Sequence, residues 1–158
     1  MDNYDRYECL GFMMCLMSQA ENHGHRPLWC LEIDLLPALE HDQFKIYFNR
    51  QKTPIGFVTW AWLDDDARRQ ILRSEEPLSP EQWRSGHTPM IYDLIAPWGH
   101  RQTLVESLTE DLFRKHNVFC VDRNADGSIH KIHNWRGVDS PRLDNYREDY
   151  FQNQVIYI

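Results

Sequence analysis

Asp93 is the residue whose surroundings point most directly to chemistry. It lies in the segment Met90–His100, which opens with a short apolar run typical of a buried strand. A carboxylate buried among apolar residues costs free energy unless a partner compensates for it. A buried Asp is therefore a better site candidate than the exposed carboxylates of the chain. The alternative is a structural Asp that accepts backbone N–H hydrogen bonds or caps the next element.

Two histidines in the loop 22–27 are candidate partners for Asp93. His23 and His25 flank Gly24 in a polar segment. An imidazole can accept a proton from an attacking amine, and a buried Asp can orient the ring and stabilise its cation. The residues therefore favour a His–Asp pair, although the sequence alone does not establish that the loop reaches Asp93.

Other chemistries find little support in the sequence. The run Asp122–Gly127 offers oxygen ligands at the first, third and fifth positions of a calcium loop, but the twelfth position is His133, which cannot supply two oxygens. The histidines show no zinc-binding spacing, and the four cysteines form no Cys-x-x-Cys pair. The sequence also lacks a Gly-x-Gly-x-x-Gly or Walker A pattern. We therefore predict no metal site and no nucleotide dependence.

Length and composition favour one globular domain over residues 1–158. Hydrophobic residues make up 42% of the chain and charged residues 26%. The net charge of −7 argues against nucleic acid as a partner, because phosphate binding needs a basic surface. The N-terminus lacks a basic signal-peptide region, and the apolar stretch 10–17 is too short to span a bilayer. With cysteine usage typical of a reducing compartment, these features predict a cytoplasmic protein without an integral membrane segment.

Hydrophobic periodicity predicts the helices and strands that must position these residues. Helices are predicted at 4–19, in a short segment before His41, at 64–74 and at 101–116. Strands are predicted at 44–49, 55–63, 90–95, 118–121 and 129–135, with the first two and the last two forming hairpins. The tail 139–154 is compatible with a helix and 155–158 with an edge strand. This order predicts a single α/β domain with a mixed sheet.

Four short segments of the chain form a recognisable set of motifs. The chain reads Pro-Ile-Gly-Phe-Val-Thr-Trp-Ala at 54–61 and Ile-Tyr-Asp-Leu-Ile-Ala-Pro-Trp-Gly at 91–99. Shorter motifs are Leu-Gly at 10–11 and Val-Asp at 121–122. Together they resemble the motifs of the toxin-activating lysine acyltransferases, the small enzymes that activate RTX protoxins. The resemblance covers roughly residues 8–139, and the block 83–99 is its most specific part.

The resemblance implies a particular fold and reaction. Members of that family have a GNAT-like fold and take a fatty acyl group from acyl carrier protein, without a bound cofactor. They transfer it to internal lysine ε-amino groups of an RTX-type protoxin. We therefore expect a single-domain, GNAT-like α/β fold with a mixed, largely antiparallel sheet flanked by helices. A homodimer is compatible with the family and with an exposed sheet edge.

The resemblance also implies which residues are catalytic. The family pairs a His after the first helix with an Asp just before Ile-Ala-Pro, and that Asp is Asp93. A gap-free count from Gly11 to Pro27 selects His23 as the base, whereas the His-Arg dipeptide selects His25 as a rival base.

The acyl chain needs an apolar groove, and the Met-rich first helix, Trp60 and Trp62 are candidates for it, with core packing as the alternative. Two other functions stay open at this point. One is an acyltransferase acting on a small-molecule amine, and the other is a non-catalytic binding module with the same fold.

Overall fold

The computed structural model describes residues 3–21, 23–74, 76–124 and 128–141. Its α-helices are α1 (Arg6–Gln19), α2 (Cys30–Asp34), α3 (Leu36–Glu40), α4 (Asp65–Arg73) and α5 (Arg101–Ser107). Its strands are β1 (Phe44–Phe48), β2 (Pro54–Leu63), β3 (Thr88–Ile95), β4 (Asn117–Arg123) and β5 (Ile129–Arg136). A 3₁₀-helix covers Pro80–Trp83, and a π-helix covers Leu108–Leu112. The turn at 125–127 and the tail elements beyond residue 141 lie outside the described residues.

The five strands form one sheet in chain order, β1-β2-β3-β4-β5. Neighbouring strands are antiparallel except β3 and β4, which are parallel and are connected through α5. The parallel ladder contains two residue pairs, Met90 with Phe119 and Ile91 with Cys120. Both predicted hairpins are confirmed, and so is the prediction of a mixed, largely antiparallel sheet flanked by helices.

Alternating side chains along the strands divide the core between the two faces of the sheet. Val58 and Ile91 pack on one face in a cluster that includes apolar residues of α5. Phe57 and Met90 lie on the other face, where Phe57 packs with residues of α1 and Met90 with residues of α4. Throughout the described part of the chain, every helix falls short of the length and apolarity that crossing a bilayer needs.

Aspartate side chains begin two of the helices that cover the sheet. Asp64 accepts a hydrogen bond from the backbone N–H of Ala67 at 2.8 Å and is the N-cap of α4. Asp5 caps α1 in the same way, and Glu8 completes a capping box with it. Such caps contribute about 1 kcal/mol each. This cap fixes the start of α1. The loop that contains the two candidate histidines follows the C-terminal end of the same helix.

The predicted helix 101–116 is wrong in its second half, because α5 has only seven residues and a π-helix follows it. In a continuing α-helix, the N–H of Phe113 would donate to the carbonyl of Thr109. That carbonyl instead accepts from the N–H of Val138 at 3.1 Å, and Phe113 donates to the carbonyl of Leu108 at 2.8 Å. A hydrogen-bond donor from a distant part of the chain thus changes the helix type. Helical periodicity in the sequence gives no information about that donor.

Candidate active site

Asp93 is placed by a β-bulge in β3. Trp60 of β2 pairs with Ile91 and Thr59 pairs with Asp93, so Tyr92 is the extra residue of the bulge. Without the bulge, Asp93 would share the face of Ile91 and lie in the apolar cluster around Trp60. The bulge turns Asp93 toward the opposite face, and its backbone N–H donates to the buried hydroxyl of Thr59 at 3.1 Å.

The carboxyl group of Asp93 is buried and ionised. The residue is 3% exposed, and burial alone would raise its pKa. A hydrogen bond from His23 and the positive charge of Arg26 more than offset that effect, so the pKa of Asp93 lies below its ordinary value. The compensating partners that the sequence argument requires are therefore present around this carboxylate.

His23 is the histidine that the structure brings to Asp93. Its Nε2 lies 3.3 Å from Oδ1 of Asp93, and its side chain is 22% exposed. The loop after α1 is held by backbone hydrogen bonds from the N–H groups of His23 and Gly24 to the carbonyl of Ala20, at 3.1 and 3.0 Å. His25, two residues further on, has an exposed side chain. The geometry thus distinguishes two histidines that the sequence left as rivals.

Arg26 is a site residue that the sequence argument missed. Its Nη2 lies 3.4 Å from Oδ1 of Asp93, and its Nη1 lies 3.5 Å from Oδ2. The same Nη1 also lies 3.2 Å from Oδ2 of Asp34 in α2. The sequence signal for it is its position directly after His25, a candidate base.

Asp34 and Tyr92 complete the group of side chains around Arg26. The phenol of Tyr92 donates to Oδ1 of Asp34 at 2.8 Å. Burial and the charge of Asp93 raise the pKa of Asp34, against the opposing effects of Tyr92 and Arg26. Burial, followed by the two aspartates, raises the pKa of Tyr92, so its hydroxyl stays protonated and able to donate. No sequence pattern marks Asp34, because it lies in a mixed segment that contains other acidic residues.

A pocket of ≈ 140 Å³ lies beside His23 and Arg26, the two partners of Asp93. One part of its wall is polar, with His23, Arg26 and Asp34. Another part is apolar and includes Met14 and Met17 of α1; the remaining lining residues are Ser18, Gly24, Pro27, Leu28, Cys30 and Leu31. The imidazole is therefore next to a space that can take the apolar part of a substrate.

Trp60 and Trp62 lie in the core rather than in this pocket. Their ring centroids are 5.9 and 5.8 Å from that of Phe113, on the α5 face of the sheet. Of the two alternatives for these tryptophans, core packing is the one that the structure shows. The Met-rich helix does reach the pocket, through two methionines that helical spacing places one turn apart.

A second His–Asp contact joins the two strands of the β4–β5 hairpin. Nε2 of His133 lies 2.6 Å from Oδ2 of Asp122. These residues occupy the first and twelfth positions of the calcium-loop pattern in the sequence. In the structure they form a hydrogen bond with each other. Across the described ranges, no group of three or more His, Cys, Asp or Glu side chains is arranged to hold a metal ion.

The topology and the site together define a class of protein. A largely antiparallel sheet with one parallel strand pair and helices on both faces is a GNAT-like fold. At its site, an imidazole with an ionised carboxylate partner can take a proton from a nucleophile, which is what acyl transfer to an amine requires.

Comparison with known proteins leads to the same class. Residues 2–136 match the family model of HlyC, the RTX toxin acyltransferase family. The leukotoxin-activating lysine-acyltransferase LtxC of Aggregatibacter actinomycetemcomitans is 29% identical over 137 residues, which cover 84% of this chain and 80% of that protein. The protein-lysine myristoyltransferase RtxC of Kingella kingae is 28% identical over 140 residues, covering 86% and 81% of the two chains.

A third relative is the RTX-I toxin-activating lysine-acyltransferase ApxIC of Actinobacillus pleuropneumoniae. It is 30% identical over 131 residues, which cover 83% of this chain and 75% of that protein. The chain therefore belongs to the RTX toxin acyltransferase family, and it is an acyltransferase.

Proposed function

We propose that this chain, acting as one domain over residues 1–158, transfers a fatty acyl group from acyl carrier protein to internal lysine ε-amino groups of an RTX-type protoxin. The observation that carries the proposal is the contact between His23 and Asp93 at the edge of a partly apolar pocket. The printed names of the relatives, which include toxin-activating lysine-acyltransferases, support the lysine and the protoxin as the acceptor.

In the proposed reaction, the amine nitrogen of a neutral lysine attacks the carbonyl carbon of the acyl thioester. His23 takes the proton that the nitrogen loses, and because its Nε2 faces Asp93, Nδ1 is the nitrogen that accepts it. The carbon–sulfur bond then breaks, an amide remains on the lysine, and the imidazolium returns the proton to the leaving thiolate. Asp93 orients the ring and balances its positive charge while the proton is held.

The apolar wall of the pocket is the proposed site of the acyl chain. Met14 and Met17 offer flexible, polarisable side chains that adapt to a chain without fixed shape. Their position beside His23 would place the thioester end of the chain at the base. Acyl carrier protein as the donor rests on the family resemblance, and no bound cofactor is required for the steps above.

We further propose that the reaction takes place in the cytoplasm. All four cysteines are free in the structure, and Cys15 is exposed, which suits a reducing compartment. A homodimer through an edge strand of the sheet, β1 or β5, is also part of the proposal. Light scattering on the purified protein would measure its mass and so test the dimer directly.

The proposal is tested by incubating the purified protein with an RTX-type protoxin and myristoyl–acyl carrier protein. Mass spectrometry of the lysine peptides measures the rate. His23→Ala should lower it by at least about 100-fold, because the general base is lost. His25→Ala, a matched change in the same loop, should keep most of the activity.

Other outcomes would lead to different functions. If His25→Ala abolished the reaction and His23→Ala did not, the base would be misassigned. If the wild-type chain acylated a small amine such as lysine methyl ester but not the toxin, the acceptor would be a small molecule. If the wild-type chain left the thioester untouched, a non-catalytic binding module would be the better description.

A further inference from the structure

Arg26 and His23 approach the same oxygen of Asp93. Nε2 of His23 is 3.3 Å from Oδ1, and Nη2 of Arg26 is 3.4 Å from it. An Arg at this distance is always charged, so it neutralises Asp93 whether or not the imidazole holds a proton. A neutral Asp93–Arg26 pair would be a poor partner for an imidazolium, since its net charge is zero.

Arg26 neutralises the negative charge of Asp93, and Asp34 adds a second negative charge beside Arg26. It lies 3.2 Å from Nη1 of Arg26, its side chain is 15% exposed, and it accepts the hydroxyl hydrogen of Tyr92. With both carboxylates ionised, the two aspartates and the one guanidinium carry a net charge of −1. Protonation of His23 then brings the group to zero, which favours holding the proton during the reaction.

We propose that Arg26 and Asp34 are positioning residues that set the charge around the catalytic pair, an inference that rests on the proposed function. Arg26 keeps Asp93 ionised and held in its buried position. Asp34 holds Arg26 from the other side and restores the negative charge that stabilises the His23 cation. Tyr92, next to Asp93 in the bulge, fixes the orientation of Asp34.

Charged and titratable groups from every neighbouring element enter this balance. The loop contributes His23 and Arg26, and β3 contributes Tyr92 and Asp93. Asp34 and Cys30 come from α2, and Cys120 comes from β4; burial raises the pKa of both thiols, so they stay neutral. The charges that face the imidazole are therefore those of Arg26 and the two aspartates.

The test is the pH dependence of acyl transfer in two single variants. Arg26→Gln removes a positive charge, which makes the imidazolium more stable, so the acid limb of the rate profile should move up by about one pH unit. Asp34→Asn removes a negative charge and should move the limb down by about one pH unit, with a loss of about tenfold in kcat. Asp34→Asn keeps an acceptor for Tyr92, so a purely structural role predicts no such shift.

Matched variants separate charge from folding. Arg26→Lys keeps the charge and should leave the limb at its wild-type position, and the double variant Arg26→Gln with Asp34→Asn should return it there. The exposed pair Arg6 and Glu40, 3.3 Å apart, is the control. Arg6→Gln and Glu40→Gln make the same charge changes at the opposite end of α1 from the pocket-lining Met17, and they should leave the acid limb where it is.

An NMR titration of the His23 ring in the same variants decides the inference without turnover. Opposite shifts in Arg26→Gln and Asp34→Asn would support it. Shifts in the same direction, or no shift in either, would overturn it. If His23→Ala kept full acyl transfer, the proposed function would fail, and the NMR titration would still measure whether these residues control the charge of the imidazole.

Discussion

Within the described residues, two histidine–aspartate pairs lie in different settings. His23 and Asp93 come from distant parts of the chain, and their closest atoms are 3.3 Å apart. His133 and Asp122 are eleven positions apart on the two strands of one hairpin, with a contact of 2.6 Å. The hairpin pair is the shorter contact, yet its imidazole is only 5% exposed and stacks on Trp135, with the ring centroids 5.5 Å apart.

The difference shows that a short His–Asp contact does not by itself identify a catalytic pair. In the hairpin pair the carboxylate is the more exposed partner at 38%, and the imidazole is buried. In the other pair the carboxylate is buried and the imidazole faces a pocket. A base must reach its substrate, so the second arrangement suits catalysis and the first suits structure.

The largest expected effect comes from removing one carboxylate charge from each pair. Asp93→Asn should lower the acyl-transfer rate by about 10³-fold or more, since the amide can neither balance the imidazolium nor hold the productive tautomer. Asp122→Asn makes the same change in the hairpin and should cost less than about fivefold, because its ion pair is partly exposed. Equal losses in the two variants, measured by mass spectrometry of the acylated toxin, would remove the distinction between the pairs.

A smaller effect is expected from filling the pocket that His23 lines. Met14 is 38% exposed and lines its apolar wall. Met14→Trp should lower transfer of a palmitoyl group relative to an octanoyl group by about tenfold, because the bulkier ring shortens the space for the chain. Met14→Leu keeps a similar volume and should leave the preference unchanged. A preference that stayed the same in Met14→Trp would place the acyl chain elsewhere.

The smallest expected effect concerns the stability of the hairpin pair. Burial lowers the pKa of His133, although its bond to Asp122 opposes this. The unfolded chain therefore binds a proton more readily than the folded chain, and the free energy of unfolding should fall as the pH drops below about 6.5. His133→Phe keeps the stacking and removes this titration. The decrease in the free energy of unfolding at acidic pH should therefore be smaller by about 1 kcal/mol or less.

Urea unfolding of both proteins at neutral and mildly acidic pH measures that difference. The comparison of the two pairs would be weakened if His133→Phe also reduced acyl transfer strongly while remaining folded at neutral pH, because the hairpin pair would then act in the reaction.

The strands, both hairpins and the carboxylate of Asp93 were predictable because each depends on local pattern. An apolar run with a single Asp at its centre signals a buried strand that carries a costly group, whatever surrounds it. The N-cap of α4 follows for the same reason, since Asp64 satisfies backbone groups a few residues away. The end of α5 was not predictable, because the N–H of Val138 comes from beyond β5.

The site needed more than local pattern. Asp34 and Tyr92 contact each other across 58 positions, and Arg26 reaches Asp93 across 67. The bulge that turns Asp93 away from the apolar cluster depends on pairing with Thr59, and no residue type in β3 indicates that a bulge occurs there. Neighbours of this kind are set by how the loop after α1 packs over the sheet.

The sequence by itself determined that a buried carboxylate lies in a strand, that two histidines follow the first helix, and that the chain resembles toxin-activating acyltransferases. Only the tertiary structure decided that His23 rather than His25 faces Asp93, and that an arginine and a second aspartate share its charge. The physical reason is that the free-energy cost of burying a carboxylate depends on that residue and its own strand. The compensation for that cost comes from side chains that only folding brings within a few ångströms.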